Sequence, residues 1–434
     1  MTEDSSLFTS VSSRVYKNNK ENVCPTTNLR KCQKENIQPT TNLRKCHEAF
    51  DKWLHLTKSD HEGIDIVLAS ALDRDVGGDP CWLFLIAPSG GTKTEIIRSL
   101  REYKKTYSLS SLTSKTFVSG KMVKTENGEF AVQGLLPKIN GKVLLIKDFT
   151  VLLSMPDVER NEIFGQFRDI YDGFFEKGFG NFQSPIRVLA NIGLICGVTP
   201  AIDSYQKLAT TLGERFLKVR LHSEPEESAR MAAKNRGQED IMRSELCEAV
   251  NEFLSSLDFS VVPTLSQTQN EEIISIAMYV AIMRAWVYCK LNYKGEIIEM
   301  NTEEPEMPTR VCKQLSKLVV ALAILRGHKK VEEDDMATLR RVARDTSIPK
   351  RQRIIDSLLK GKENSNLEKF TFLDAAEGSG LHYNTAKREV EKMVSLGIFK
   401  DLVDENIKDV QFFRVTDAFR NLVQVVNKTE EAKP

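Results

Sequence analysis

A short apolar run, Trp82 to Ala87, passes into the turn Pro88-Ser89-Gly90-Gly91-Thr92 and then into Lys93-Thr94-Glu95 and an amphipathic stretch carrying Ile96, Ile97 and Leu100. An apolar run this short, bounded by turn residues, reads as a buried strand. A strand that enters a helix through a glycine-bearing turn can wrap phosphates with its backbone N–H groups. In that geometry Lys93 reaches the terminal phosphates and the Thr94 hydroxyl holds magnesium, so Pro88 to Glu95 are the expected ATP-binding residues and Mg2+ the expected metal. The usual spacing, G-x-x-x-x-G-K-[ST], has glycine at both ends of the loop, whereas this chain has Ala87 and Thr92 there. The alternative is a plain strand-to-helix turn.

Three further segments extend this pattern. The run Lys142 to Ile146 ends at Asp148, about fifty residues after Lys93, where a second magnesium-side acid belongs. Taken alone, an aspartate there is a turn or helix cap. Phe149 follows it, where many ATPases carry a water-activating glutamate, so Asp169, Asp172 and Glu176 are the other acids to consider. Ile192 to Val198 ends at Thr199, a residue placed to sense a terminal phosphate or to cap the turn at Pro200. Arg215 stands just before the last apolar run, Phe216 to Leu221. An arginine there can stabilise charge at a neighbouring subunit's nucleotide, or simply pair with Glu214. Strands alternating with helices predict an α/β fold, a parallel sheet covered on both faces. From about Glu224 to Ser347 the chain reads as almost entirely helical, with Ile273 to Cys289 as a buried helix.

In this order and spacing the four segments resemble the AAA+ ATPases, over roughly Ile64 to Ser347. DPCWLFLIAPSGGTKTE, KVLLIKDFT, FRDIYDGFF and GVTPAID are similar to P-loop proteins of phages and integrating elements. The stretch from Thr309-Arg310 through VCKQLSKLVVALAILRG to VEEDDMATLRRVA resembles the helical lid of the minichromosome-maintenance helicases. The resemblance implies that Lys93, Thr94 and Asp148 hold nucleotide and magnesium. It further implies that Thr199 is a first sensor, Arg215 a finger acting in trans and Arg310 a second sensor on the lid, in a ring or partial ring of identical subunits.

After Pro349 the composition shifts again. RQRIIDSLL, TFLDAAEGSG and HYNTAKREVEKMVSLGIFK read as three helices, and FKDLV and VQFFRVT as a hairpin. Three helices and a hairpin resemble a winged helix over 349–425. Tyr383, Asn384, Thr385, Lys387 and Arg388 would then face a DNA groove, since all are able to contact phosphates or base edges. A protein-docking winged helix is the competing expectation.

At 434 residues the chain is long enough for two or three domains, and its net charge of +1 leaves any DNA contact to local patches. Residues 1–45 are rich in Ser, Thr, Asn and Lys and read as a disordered tail. The tail holds a fourteen-residue tandem duplication, KENVCPTTNLRKCQ then KENIQPTTNLRKCH. Cys32, Cys46 and His47 lack zinc-site spacing, which favours a slippage product over a metal tether. The expected division is then a P-loop core over 46–223, a helical lid over 224–348, a winged helix over 349–425 and a short tail over 426–434. Eight scattered cysteines suit a reducing cytoplasm, and neither a signal peptide nor a membrane span is expected. The function expected is ATP binding, with hydrolysis, by a DNA-processing AAA+ protein. Two rivals remain: a DNA-binding regulator whose P-loop domain senses nucleotide or only oligomerises, and a protein-remodelling factor.

Overall fold

The computed structural model describes residues 39–428 apart from 91, 118–121, 125–129, 133, 179–185, 206–212, 223, 303, 361–364 and 403–409. Gly91, Cys32 and the first copy of the repeat therefore lie outside the described residues. The chain opens with helices α1 (Pro39–Trp53), α2 (Lys58–Ala71) and α3 (Asp73–Val76). Thr57 starts α2 through a capping box with Asp60, which satisfies backbone N–H groups that the first turn leaves open. Strand β1 (Trp82–Ile86) then leads into α4 (Lys93–Ser99). Next come β2 (Thr106–Leu109), a hairpin of β3 (Met122–Lys124) and β4 (Phe130–Val132), α5 (Leu136–Ile139) and β5 (Val143–Ile146). After α6 (Thr150–Leu153) and α7 (Asp157–Tyr171) stands a second hairpin, β6 (Phe174–Lys177) with β7 (Ile186–Leu189). The strands β8 (Gly193–Val198) and β9 (Phe216–Arg220) follow.

The central sheet has five parallel strands in the order β2-β5-β8-β1-β9. An α/β architecture is thus present. All five strands of a parallel sheet point the same way, so every loop that follows a strand emerges at one edge. From β1 the chain runs outward to β2, whereas from β8 it crosses past β1 to β9. The connections diverge between β1 and β8, and ligands of open α/β sheets favour that crevice at the carboxyl ends.

Side chains along β1 alternate between the two faces of the sheet. Trp82, Phe84 and Ile86 join an aromatic layer with Phe149, Phe164, Phe167 and Phe216. Leu83 and Leu85 face the opposite core, which continues without a break through α1 and α2 into the C-terminal third.

That third begins with α8 (Pro225–Lys234), α9 (Glu239–Ser256) and α10 (Gln267–Arg284). An antiparallel hairpin of β10 (Val287–Leu291) and β11 (Ile297–Thr302) interrupts the helices before α11 (Thr309–Arg326) and α12 (Glu333–Thr346). The all-helical expectation for 224–348, and for Ile273 to Cys289 in particular, is therefore corrected. Arg284 ends α10: its guanidinium is buried and donates to the Glu214 and Phe216 carbonyl oxygens and to the Glu306 carboxylate. The residues beyond it, with their tyrosine and β-branched side chains and the Asn292–Gly295 turn, suit a hairpin.

The last module holds α13 (Pro349–Leu359), α14 (Ser365–Glu368), β12 (Phe370–Thr371), α15 (Phe372–Ser379), α16 (Tyr383–Ser395), β13 (Phe399–Leu402), β14 (Phe412–Val415) and α17 (Asp417–Val426). Its strands form a three-stranded antiparallel sheet in the order β12-β14-β13, one strand more than the expected hairpin. The module is seated firmly on α10. Arg351 donates to the Met283 and Ala285 carbonyl oxygens, Tyr279 Oη donates to Gln352 at 2.8 Å, and the Tyr279 and Phe419 rings stack at 5.4 Å.

The expected disordered tail also needs correction at its end. The second repeat copy enters α1, and Leu43 and Cys46 are buried with Phe50 and Trp53 against the core. Spacings of three and four residues put all four on one face, so a segment that reads as polar by composition still presents an apolar stripe. Truncating the fully buried Phe50 to alanine is expected to cost about 3–5 kcal/mol and to lower the urea midpoint. An unchanged midpoint would mean that α1 is a dispensable appendage.

Candidate nucleotide-binding cleft

Lys93, Asp148 and Thr199 come together at the carboxyl edge of the sheet. Lys93 opens α4 directly after the β1 loop, and its Nζ donates to the Pro88 carbonyl oxygen at 3.0 Å. Burial lowers its pKa, while the nearby Asp148 carboxylate acts in the opposite direction. Asp148 Oδ1 accepts from the Thr150 N–H at 2.9 Å, so one oxygen serves as the turn cap that the sequence also allowed. The Thr150 hydroxyl in turn accepts from the Thr199 N–H at 3.2 Å. This ties the turn after β5 to the turn after β8. Gly197 permits the approach, because a Cβ there would collide with the Lys147 carbonyl oxygen.

The departures from the usual phosphate-loop spacing have a conformational explanation at one position. Thr92 has φ −65° and ψ −13°, an ordinary right-handed conformation that requires no glycine. Among the described loop residues it is Gly90, at φ +79°, that takes a positive φ.

A cleft of about 590 Å³ opens beside this loop, lined by Pro88, Ser89, Gly90, Thr92, Thr94 and Glu95 on one side. Such a volume suits a cofactor-sized molecule. The other walls come from Trp53 at the end of α1 with Leu54 and His55 after it, from Pro225, Ser228, Ala229, Met231 and Ala232 on α8, and from Asn235, Glu239 and Met242. Sequence reasoning missed these walls, which lie 33 to 35 residues before Pro88 and 130 or more after Glu95, with no motif of their own. Glu95 is engaged by Arg98 at 2.8 Å and by Arg243 at 3.4 Å. Phe149 is buried in the aromatic layer, 5.0 Å from the Phe84 ring centroid, so the position after Asp148 turns a ring into the core.

Arg215 and Arg310 lie elsewhere. In the β1–β9 register Trp82 faces Phe216 and Ile86 faces Arg220, so Arg215 stands at the amino edge, one strand length from the loop. That separation is roughly 13 Å along the strand. Arg215 reaches Asp172 at 3.4 Å and lies over the Tyr171 ring, and the Arg310 guanidinium approaches the same ring at 5.8 Å. Arg215 is thus paired with Asp172, while Glu214 lies 3.6 Å from Arg284. Burial lowers the Arg215 pKa, as does Arg310, and Asp172 opposes both. Arg310 also lies 3.6 Å from Glu306. The structure therefore groups Arg310 with Arg215 over Tyr171, at the amino edge and away from the β1–α4 loop. Asp172, and Asp169 beside it, belong to the same amino-edge group. Glu176 pairs with Arg187 in the β6–β7 register.

In the C-terminal module, Tyr383 and Asn384 are exposed at the start of α16, while Thr385, Lys387 and Arg388 are half-buried. Lys387 Nζ lies over the Phe372 ring and Arg388 Nε donates to the Asn384 carbonyl oxygen. The first turn of α16 has no side-chain cap.

His328, Asp334 and Asp335 cluster closely enough to suggest a cation site, but Arg326 occupies Asp335 Oδ1 at 3.0 Å and Asp335 also caps α12. Among the described residues no helix is long and apolar enough to cross a membrane. No protein-family model matches the chain, and no curated protein matches it.

An anion bound in the cleft would favour the Lys93 ammonium, so ATP binding should take up a proton at a pH between the lowered Lys93 pKa and the ordinary value of 10.5. Affinity is therefore expected to fall as pH rises through that window. Calorimetry in two buffers of different ionisation enthalpy reads the uptake directly, and Lys93→Met should remove it.

Proposed function

We propose that the chain is an ATP-binding and ATP-hydrolysing AAA+ protein that acts on DNA. The observation that carries this reading is the convergence of Lys93, Asp148 and Thr199 beside a cofactor-sized cleft, at the point where the sheet connections diverge. Lys93 and Thr94 would hold the β- and γ-phosphates and, with Asp148, the magnesium ion, which lends charge to the transferring phosphoryl group. Thr199 would orient the terminal phosphate. Arg215 and Arg310, one strand length from their own loop, would complete the cleft of an adjacent copy in a ring or partial ring. The C-terminal module would serve as a winged helix, with the uncapped start of α16 against DNA phosphates. The buried Phe149 favours a second reading, a DNA-binding regulator that senses nucleotide without turning it over.

Turnover measured with and without DNA separates the two. DNA-stimulated hydrolysis is expected, lost in Lys93→Ala and in Arg215→Ala. Mixing the two variants should restore part of it, because some interfaces then pair an intact loop with an intact arginine. Nucleotide binding without turnover would leave the regulator in front, and absence of binding would sink both. For DNA, Lys387→Ala should weaken binding across sequences and reduce the slope of log affinity against log salt by about 1. An unchanged slope would remove α16 from the DNA interface.

A further inference from the structure

The β10–β11 ribbon interrupts the helices of the C-terminal third and belongs neither to the cleft nor to the arginine pair. Its register sets Val287 opposite Thr302 and Cys289 opposite Met300 on one face, and Tyr288 opposite Asn301 and Lys290 opposite Glu299 on the other. The first face is seated: Val287 is buried, Cys289, Met300 and Thr302 are half-buried, and β11 lies against α16. All four residues of the second face are exposed. Tyr288 and Lys290 stand two residues apart on that face, about 7 Å along the strand.

The tip of the ribbon is preformed. Asn292 Oδ1 accepts from the Lys294 and Glu296 N–H groups, each at 2.9 Å, and Asn292 Nδ2 donates to the Glu296 carboxylate at 2.8 Å. This turn presents Tyr293, which is 93% exposed, with Lys294 Nζ 5.7 Å from its ring centroid. Leu291 and Ile298, at the same end of the ribbon, are exposed as well. Large side chains gathered in water on an ordered turn mark an interaction surface. Lysine is depleted from protein–protein interfaces, whereas surfaces for single-stranded nucleic acid set aromatic rings beside basic side chains. Among the described residues Lys290 and Lys294 form no ion pair, so both ammonium groups are available to phosphates.

We infer that the β10–β11 ribbon is a platform for single-stranded DNA, on which Tyr288 and Tyr293 stack against bases while Lys290 and Lys294 hold the phosphates beside them. A duplex hides the faces of its bases by stacking them on one another, so these rings can stack only on a separated strand. The platform rests on the reading that the chain acts on DNA. It adds a contact of another kind, because its seat on α16 places it beside the helix whose first turns carry Lys387 and Arg388.

The test measures binding of a labelled thymidine oligonucleotide, and of a duplex of the same length, to the full chain and to Tyr288→Ala, Tyr293→Ala and Tyr293→Phe. Both tyrosines are exposed, so the substitutions leave the core intact. Each alanine variant is expected to lose about tenfold in affinity for the single strand and to keep its affinity for the duplex. Tyr293→Phe, which retains a ring to stack, should bind the single strand as the wild-type chain does. Alanine variants that hold the single strand as tightly as the wild-type chain would overturn the platform and leave the DNA reading standing. So would an equal loss for both ligands, or a wild-type chain that binds the duplex alone. Failure of the wild-type chain to bind either ligand would overturn the DNA reading and the platform with it.

Discussion

A parallel sheet has apolar side chains on both faces, and both must be covered before it can exist in water. Here the coverings differ in kind. One face of β1 meets an aromatic layer supplied mainly by α7 and the turn after β5, with Phe84 and Phe216 stacked at 3.8 Å. The other meets a core that takes in α1, α2, the C-terminal helices and the last module together. Because the faces are consumed by packing, the strand ends are left for loops, and the chemistry-bearing side chains gather there.

The two ends of the strands hold different chemistry. Lys93, Asp148 and Thr199 follow strands, whereas Arg215 precedes one, and parallel pairing keeps them apart by the length of β9. Packing thus separates Lys93, Asp148 and Thr199 from the arginine pair within one chain. The shared second core has a further consequence. Arg220 forms paired contacts of 2.8 Å with Asp203 beyond the Thr199 turn and accepts and donates hydrogen bonds with α12. Arg344 on α12 donates to the Val426 carbonyl oxygen at the end of α17. Helix α12 therefore holds polar contacts both to the carboxyl edge of the sheet and to the C-terminal module.

Much of the sheet was legible before any coordinates. The runs at Trp82, Lys142, Ile192 and Phe216 are strands, since short apolar stretches closed by turn residues have few other uses. Strand β2 escaped notice because it is an edge strand with only Thr106 fully buried, so its pattern is too polar to stand out. The hairpin of β10 and β11 was hidden by the apolar length of α10, whose stop comes from Arg284 finding acceptors on Glu214, Phe216 and Glu306. Helix α1 was hidden by the polar composition of the repeat, although Leu43 and Cys46 fall in step with Phe50 and Trp53.

What the sequence determined by itself was local: where strands form, where a glycine-bearing turn meets a lysine and a threonine, and which acid closes the third strand of the sheet. These depend on neighbours a few residues apart, which periodicity and turn chemistry report. Tertiary structure alone decided that His55 and Ser228 line one cleft, that Arg310 joins Arg215 over Tyr171, and that a duplicated polar segment supplies part of the core. Each of those placements joins side chains far apart in the chain, and their distances are fixed by which faces must be buried against each other, a quantity no local pattern contains.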